Sequence, residues 1–487
     1  MNEYQTVVKN IKPNNHKRSA VRGIAALLFL LASYPITAQD LSGYWEGKIA
    51  LSKRDSLTIG IQIDYRADTL YIELDSPDQY FTGQPASDIQ FEDSVLTFRT
   101  PEFNLRYEGT LSPDGQWFTG LCTQHGRVFD CTLSRGAQRK QFLRPQTPAP
   151  PFPYRTEELS IRSRDGKRSL IHGTLTLPVG TPKGFVVFIS GSGWQDRDET
   201  IFAHKPFAVI ADTLTKAGFA TFRYDDFPTI IFRKSTTFDF ADAVRLVLDS
   251  LLQRDELQHL TVGLIGHSEG SLVASIVASD DPRIGFTIHL GGVAQPIEEI
   301  LLYQSTALNN ASNILSEKEI ENSIAINRQF YDVIKKSKSQ EECADKIGAL
   351  WDKLSSQLTE DERTRYNMTP ESKFTMIQTM TSPWYYELFR IDPKKYIRRI
   401  KTPMLAISGD LDMQVCAYCT MENFTKYLKD KTLLTSFVLN GLNHLLQPCT
   451  TGTPAEYGVI ETTVSPDALK ILVEWADKHA LRPNGRH

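Results

Sequence analysis

Three features are missing from this chain of 487 residues, and each absence excludes a class of protein. No cluster of Lys and Arg resembles a nucleic-acid-binding surface and the formal net charge is −4, so nucleic-acid binding is not expected. The apolar run at residues 23–32 is too short to span a bilayer comfortably. No repeat of the kind that builds a β-propeller is present. The hydrophobic content of 41% instead indicates a globular protein with a sizeable core.

The apolar run belongs to a predicted targeting segment. Basic residues precede it and small residues ending at Ala38 follow it, an arrangement typical of a secretory signal peptide. We predict a signal peptide at residues 1–38, with cleavage after Ala38, and a mature protein that is periplasmic or secreted. No cysteine comes directly after the predicted cleavage site, so a lipid anchor is not supported. No stable membrane insertion is expected once the signal is removed.

The sequence holds only six cysteines, and an exported protein can keep disulfides. Cys122 and Cys131 flank a predicted hairpin turn. If Gly126 and Arg127 form a two-residue loop with glycine first, the two cysteines lie directly opposite each other at a non-hydrogen-bonded pair. The sequence therefore predicts a cross-strand disulfide between Cys122 and Cys131.

Cys416 and Cys419 form a C-x-x-C motif, and Cys449 lies further along the chain. A zinc site would need two more ligands in a plausible cluster, so a disulfide is favoured over a metal. No metal is predicted, and Cys343 is predicted to be unpaired.

Residues 39–140 are predicted to form a small all-β domain. Residues 56–65 alternate strictly between apolar and polar side chains, the pattern of a half-buried strand. The sequence Gly43-Tyr44-Trp45 resembles the opening of lipocalin-like barrels, and a small open β-sandwich is the alternative. No catalytic constellation is present in this domain, so substrate or surface binding is the most that it suggests.

A proline-rich segment at residues 141–155 is predicted to be a semi-rigid linker. Strand-like and helix-like segments then alternate through residues 156–487, which predicts an α/β catalytic domain with a mostly parallel sheet. Residues 299–398 interrupt this alternation with mainly helical, charged sequence and are predicted to form a helical cap. Functional loops of such a sheet gather at the carboxyl ends of its strands.

The most informative motif is Gly266-His267-Ser268-Glu269-Gly270, which lies between an apolar strand and a helix-like segment. A sharp strand-to-helix turn forces Ser268 into a strained backbone conformation and holds its hydroxyl above the sheet. The backbone N–H of Glu269 then faces an oxyanion. The alternative is a tight turn in a core βα unit, but the strand and helix on either side favour a catalytic elbow.

A loop of small residues at 190–193 follows another predicted strand. A backbone that must direct an N–H group at a substrate oxygen needs small residues, because larger side chains would block the approach. We assign the second oxyanion donor to this loop, Ser192 first and Gly193 second. Trp194 and Trp384 are predicted to contact substrate, and for Trp384 a place in the core of the cap is the alternative.

A serine hydroxyl needs a base to take its proton, and the base needs an orienting acid. In this class of sheet the order is serine, acid, histidine. Asp410 and Asp412 follow the predicted strand at residues 404–408. Asp412 is preferred as the acid, and Asp410 is predicted to cap the turn. His444 follows the last strand and is the predicted base, whereas His267 is interpreted as a packing residue.

Four segments together resemble those of bacterial α/β-hydrolase esterases of the serine hydrolase superfamily. The segments are Gly266-His267-Ser268-Glu269-Gly270, Ser190-Gly191-Ser192-Gly193 with Gln195-Asp196-Arg197-Asp198-Glu199, Gly409-Asp410-Leu411-Asp412-Met413-Gln414-Val415, and Leu442-Asn443-His444. The resemblance covers about residues 156–475 and implies an α/β-hydrolase fold with a helical cap, preceded by a β-rich domain. The site residues that it implies are Ser268 as nucleophile, Asp412 as acid, His444 as base, and Glu269 with the Ser192 region as oxyanion hole.

Two cysteines depart from the resemblance. The family commonly has proline at the position of Cys416 and no cysteine at the position of Cys449. Both positions fall on the loops that carry the predicted acid and base. We therefore hypothesise a disulfide from Cys449 to Cys416 or Cys419 that clamps these loops together.

The resemblance and the predicted triad imply an ester hydrolase that works through an acyl-enzyme, without metal or organic cofactor. Its expected substrate is a small-molecule ester or an acylated glycan. An exported serine peptidase of similar fold is the alternative, and such peptidases often add a propeller or an acidic pocket for the substrate amine. A non-catalytic binding protein on the same scaffold is a third hypothesis, against which the triad argues.

Overall fold

The computed structural model describes residues 40–50, 56–66, 69–124, 127–162, 170–227 and 229–480. These residues form a nine-stranded antiparallel sheet, followed along the chain by an eight-stranded, mostly parallel sheet. The predicted signal peptide lies outside the described residues. Among the described residues, no helix combines the length and the apolar character that are needed to cross a membrane.

The first sheet corresponds to the predicted all-β domain. Its strands are β1 (Gly43–Ala50), β2 (Ser56–Arg66), β3 (Thr69–Ser76), β4 (Phe81–Pro85), β5 (Ser87–Glu92), β6 (Val95–Thr100), β7 (Leu105–Leu111), β8 (Trp117–Gln124) and β9 (Arg127–Arg135). Strand β7 alternates strictly between buried and exposed residues, so one face of the sheet points into a common interior. That interior is filled by large apolar side chains, including Trp45, Phe98, Tyr107 and Phe118.

The first sheet curls back on itself. Strand β1 pairs with both β2 and β9, while β4 and β5 are the two edge strands of the sheet. A single residue, Ala86, separates β4 from β5, and its N–H donates to the carbonyl of Ile72 on β3 (2.8 Å). The segment therefore leaves β3 and joins β6, which brings the two edges together. Of the two alternatives that the sequence left open, this arrangement is closer to the barrel, although β4 and β5 form no hydrogen-bonded pair among the described strands, and the first sheet is called the barrel below.

The structure contradicts the predicted disulfide between Cys122 and Cys131. Both are free thiols, buried in the barrel interior. The strand register pairs Gln124 with Arg127, so Cys122 lies opposite Phe129 instead of opposite Cys131. The two-residue loop predicted at Gly126 and Arg127 is therefore displaced by one residue towards the C-terminus, because Arg127 already belongs to β9. Because such a shift changes each opposing pair, the two cysteines are diagonal neighbours on one face.

The second sheet is the mostly parallel sheet expected beyond the linker. Its strands are β10 (Arg155–Ile161), β11 (Ile171–Leu177), β12 (Phe185–Ile189), β13 (Ala220–Tyr224), β14 (Val262–His267), β15 (Ile284–Leu290), β16 (Met404–Gly409) and β17 (Leu434–Leu439). The order is β10-β11-β13-β12-β14-β15-β16-β17, with β11 antiparallel to β13 and parallel pairing from β13 to β17. Every residue of β12, β13, β14 and β16 is buried, as expected for parallel strands covered on both faces.

Helices cover both faces of this sheet. The α-helices are α1 (Pro206–Lys216), α2 (Thr229–Phe232), α3 (Thr237–Leu251), α4 (Glu269–Ala278), α5 (Ile297–Ser312), α6 (Glu317–Lys336), α7 (Gln340–Ser355), α8 (Glu360–Arg365), α9 (Pro370–Met380), α10 (Pro383–Leu388), α11 (Pro393–Ile397), α12 (Ala417–Tyr427) and α13 (Pro466–Ala480). Helices α3, α4 and α12 pack into the apolar core on one face, and α1 and α13 into the core on the other. The carboxyl ends of the parallel strands are left to the connecting loops.

The segment expected to form a cap folds into the seven helices α5 to α11, which lie between β15 and β16. Several of these helices begin at a Ser or Thr whose side chain accepts a backbone N–H. Ser316 and Thr359 each complete a capping box with a glutamate three residues later. The cap has a core of its own around Phe330 and Trp351.

Candidate active site

The predicted elbow joins β14 to α4. Ser268 separates them with φ 51° and ψ −120°, a conformation that L residues rarely adopt. A Cβ on Gly266 would lie 2.2 Å from the carbonyl oxygen of Gly270, and a Cβ on Gly270 would lie 2.1 Å from that of Ile189. Both glycines are therefore required by the close approach of strand and helix.

The structure brings the three predicted triad residues to one end of the sheet. His444 Nδ1 lies 2.7 Å from Asp412 Oδ2, and both side chains are buried. The other carboxylate oxygen, Oδ1, accepts the N–H groups of Gln414 and Val415 at 2.8 Å each. Ser268 and His444 line the same cavity. The acid is thus fixed by its own loop, with one oxygen left for the imidazole.

Asp410, the less favoured candidate for the acid, forms a hydrogen bond to a different loop. Its Oδ1 accepts the N–H of Gly441 at 2.7 Å, which ties the acid loop to the turn before the base. The sequence predicted that Asp410 caps the turn through its backbone, whereas this contact is a side-chain bond to another loop.

The three later cysteines do not form the hypothesised clamp. Cys416 and Cys419 are joined to each other by a disulfide at the start of α12, whereas Cys449 is a free thiol. The disulfide favoured for the C-x-x-C motif is present, and the proposed bond from Cys449 is contradicted. Cys343 is a free buried thiol, as predicted. Within the described ranges, no group of three His, Cys, Asp or Glu side chains is arranged to hold a metal ion.

His267 does more than pack. Its Nδ1 lies 2.9 Å from Glu199 Oε1, and its Nε2 lies 3.1 Å from the carbonyl oxygen of His444. Both partners are oxygen atoms, and a protonated imidazole can donate to both. Burial lowers the pKa of His267, but the Glu199 carboxyl group and the bond to His444 outweigh burial and raise it. The contact between Glu199 and His267 therefore supports the backbone of the predicted base.

Two carboxyl groups, of the buried Glu199 and the half-buried Asp226, anchor the loop predicted to supply the second oxyanion donor. Glu199 Oε1 accepts the N–H of Gly191 at 2.7 Å. Asp226 accepts the N–H of Gln195 at 2.8 Å and the hydroxyl of Ser190 at 3.3 Å. Because Glu199 occupies the Gly191 N–H, this group is not free to bind an oxyanion.

The carboxylate of Glu269 is the functional group that the sequence analysis missed. It is only 5% exposed and accepts bonds from three side chains. Trp384 Nε1 lies 2.9 Å and 3.0 Å from its two oxygens, the hydroxyl of Thr237 lies 2.7 Å from Oε1, and that of Ser192 lies 2.8 Å from Oε2. Burial raises the pKa of Glu269, and these bonds oppose the rise. The available signal was a carboxyl side chain directly after the predicted nucleophile.

A cavity of about 270 Å³ opens over the elbow, between the sheet and the cap. Its apolar wall is formed by Leu272, Val293, Ile297, Ile300, Leu301, Leu388 and Val415. Trp384 and Ser192 also line it, whereas Gly193 and Trp194 lie outside the lining. Trp194 is half exposed, and its indole N–H donates to the carbonyl of Phe227 at 3.0 Å. Trp384 therefore lies in the wall of this cavity, whereas Trp194 lies outside it, and substrate contact stays a prediction for both.

No protein-family model matches the chain. Among curated proteins it is similar to Esterase EstD of Thermotoga maritima, with 25% identity over 311 residues. The match covers 61% of this chain and 63% of EstD, so the chain spans less than two thirds of that relative's length.

Among solved structures, the chain is similar to a dienelactone hydrolase from Anabaena variabilis, with 15% identity and a TM-score of 0.37. That match covers 67% of this chain and 97% of the other. It is also similar to Est1E from Butyrivibrio proteoclasticus, with 14% identity, a TM-score of 0.35, and coverage of 66% and 96%. Neither structural similarity decides the reaction, which is inferred from the geometry of the site.

Proposed function

We propose that this protein is a serine carboxylic-ester hydrolase whose nucleophile is Ser268. The observation that carries the proposal is the convergence of three features on one cavity. A serine in a strained elbow, an imidazole whose Nδ1 contacts a buried carboxylate, and the first N–H of a helix all meet there. The similarity to a curated esterase supports the same reaction class.

In the proposed reaction, His444 takes the proton of the Ser268 hydroxyl as its oxygen bonds to the ester carbonyl carbon. Asp412 holds the Nδ1–H tautomer and stabilises the imidazolium. The oxyanion accepts the N–H of Glu269, which has no partner within the first turn of α4, and an N–H of the Ser192 loop.

The tetrahedral intermediate then collapses. The bond between the carbonyl carbon and the alcohol oxygen breaks, and the alcohol leaves with the proton held by His444. Water attacks the acyl-enzyme with His444 again as base, which releases the carboxylic acid and restores the Ser268 hydroxyl. No step requires a cofactor.

The cavity favours an ester over a peptide substrate. A peptidase that recognises a substrate amine needs a carboxylate free to pair with it. The two carboxylates in the cavity wall are engaged within the protein, Glu199 by His267 and Glu269 by Trp384. The apolar wall suits an apolar acyl group, so we infer a small-molecule ester or an acylated glycan with such a group.

A fluorophosphonate probe and a substrate panel test the proposal. The wild-type protein should react with the probe and hydrolyse p-nitrophenyl esters faster than aminoacyl amides, and S268A should lose both reactions. S275A is the matched control, because Ser275 lies buried in the same helix and its hydroxyl has no partner among the described residues. An unlabelled wild-type protein, or a marked preference for amides, would contradict the proposal.

Export remains part of the proposal. It depends on the predicted signal peptide at residues 1–38. N-terminal sequencing of the protein from an exporting host should begin at Gln39, and a mature chain that keeps residues 1–38 would contradict it.

A further inference from the structure

The cap reaches the elbow through one side chain. Trp384 is the second residue of α10, and its indole N–H is shared between the two oxygens of Glu269 at 2.9 Å and 3.0 Å. Glu269 is the first residue of α4, directly after the nucleophile. An indole N–H can only donate, so this contact requires an acceptor at that position.

The same carboxylate also contacts the loop of residues 190–193, which is called the oxyanion loop below. Its Oε2 accepts the hydroxyl of Ser192, whose backbone is the first candidate for the second oxyanion donor. Ser192 itself is exposed, so little packing fixes its position. Glu269 thus supplies one oxyanion donor with its own N–H and restrains the residue that supplies the other.

The carboxylate is fully occupied by these contacts. Oε1 accepts from Trp384 and from Thr237 on α3, and Oε2 accepts from Trp384 and Ser192. A buried carboxylate without partners is costly, and losing one of several partners leaves that cost uncompensated. The cap, the oxyanion loop and α3 are therefore bound to one group, and a displacement of one affects the others.

We propose that Glu269 is a positioning residue whose carboxylate couples the cap to the oxyanion hole through Trp384 and Ser192. The inference rests on the proposed esterase function and adds a role for the residue after the nucleophile. A cap held by Trp384 keeps the carboxylate in place, and the carboxylate keeps Ser192 at the distance that the tetrahedral intermediate needs.

The test uses E269Q and W384F in the full-length protein. An amide at position 269 can still bond the two hydroxyls, which donate or accept, but it offers the indole only one acceptor. W384F keeps an aromatic ring in the cavity wall and removes the donor. We expect each variant to lower kcat about 10- to 100-fold, below the loss for a deleted oxyanion donor, with KM changed less than about threefold.

Two readouts separate positioning from a general structural defect. A trifluoromethyl ketone forms a tetrahedral adduct with the serine, so its affinity should fall in parallel with kcat. The double variant E269Q/W384F should have a kcat no lower than that of the less active single variant, because both substitutions act through one hydrogen bond. W351F is the matched control: Trp351 is buried in the cap core, outside the cavity, and its loss should leave kcat and ketone affinity near wild type.

The outcomes are distinguishable from a failure of the proposed function. A wild-type protein that neither reacts with fluorophosphonate nor hydrolyses esters removes the esterase proposal itself. An active wild type whose E269Q and W384F variants keep kcat and ketone affinity overturns the coupling. A rise in KM without a fall in kcat in W384F also overturns the coupling, because Trp384 would then only contact substrate in the cavity. If E269Q does not fold, W384F decides alone, since it leaves Glu269 with two partners.

Discussion

Asp225 and Asp226 are neighbours in sequence with opposite electrostatic surroundings. Burial raises the pKa of Asp226 to about 7, and repulsion from Glu199 and Glu269 adds to the rise despite its hydrogen bonds. Asp225 is also partly buried, but its bonds to Arg197 outweigh burial and lower its pKa. The pair offers a test of the electrostatics around the oxyanion loop.

We expect D226N to change stability in a pH-dependent way. A carboxyl whose folded-state pKa exceeds its unfolded value near 4 binds more protons when folded, so its contribution to stability falls between pH 4 and pH 7. Asn keeps an acceptor for the N–H of Gln195 without that loss. D226N should match wild type near pH 4 and exceed its unfolding free energy at pH 8, by on the order of 4 kcal/mol. Urea unfolding across this range measures the difference.

D225N is the matched control with the opposite sign. A carboxyl with a lowered pKa stabilises the folded state above its unfolded pKa, and this stabilisation is lost as the pH falls. D225N should therefore be less stable than wild type at pH 7, and the deficit should shrink below about pH 4. Parallel pH profiles for the two variants would contradict the assignment of Asp226 as the group with the raised pKa.

Single residues show where sequence reasoning stops. The placement of Ser268, Asp412 and His444 at one end of the sheet was predictable, because each follows a predicted strand. The contact of His267 with Glu199 was not, because the two residues lie 68 positions apart in the sequence. Trp384 lies 115 positions from Glu269. A pattern of residue types carries no information on which distant side chain completes a hydrogen bond.

At the scale of elements, the alternation of strands and helices predicted the parallel sheet, and its interruption predicted the cap. Strand register was harder. The hairpin of β8 and β9 has two candidate turn positions one residue apart, and only the folded barrel selects between them. That choice alone decided whether Cys122 and Cys131 could face each other directly.

The disulfide at the start of α12 should affect stability more than catalysis. It closes a short loop, so its removal should lower the unfolding free energy by about 2 kcal/mol. Asp412 is held by the N–H groups of Gln414 and Val415, which do not depend on the disulfide. The variant C416S/C419S keeps a good N-cap residue. We expect this loss of stability with kcat changed less than about threefold, measured by urea unfolding and ester hydrolysis.

Reduction provides the control for this prediction. Dithiothreitol should lower the stability of wild type to that of C416S/C419S and leave the variant unchanged. C449S removes a thiol that is already free, so it should respond to dithiothreitol as wild type does. If the reductant also destabilises C416S/C419S, a disulfide elsewhere in the chain is responsible.

At the scale of the whole molecule, the barrel and the catalytic domain are in direct contact. Tyr80, which follows β3, packs edge-on against Phe142 and Phe202, with ring centroids 5.4 Å apart in each case. Its hydroxyl donates to the carbonyl of Ala455 at 3.4 Å. The segment that was predicted as a linker adds Arg144, which donates to three backbone carbonyls of the catalytic domain. The barrel is therefore seated against the catalytic domain.

This contact leads towards the acid. Gly458 faces the Tyr80 ring, and the adjacent Tyr457 is buried. The Tyr457 hydroxyl accepts from Gln414 Nε2 at 2.9 Å, and the N–H of Gln414 donates to Asp412 at 2.8 Å. We therefore expect a displacement of the segment that carries Gly458 to reach the loop that holds Asp412, the proposed acid.

G458A tests this connection, with Y80A as its suppressor. A Cβ on Gly458 would lie 1.9 Å from the Tyr80 ring, so the alanine must push the barrel or its own segment away. We expect G458A to lower both kcat and the unfolding free energy, the latter by about 1–3 kcal/mol as overpacking does. Y80A removes the obstructing ring, so G458A/Y80A should recover kcat relative to G458A. G348A, a helix position whose nearest neighbour lies 3.8 Å away, should leave both quantities unchanged or slightly raised. A double variant as impaired as G458A would mean that the strain does not pass through Tyr80.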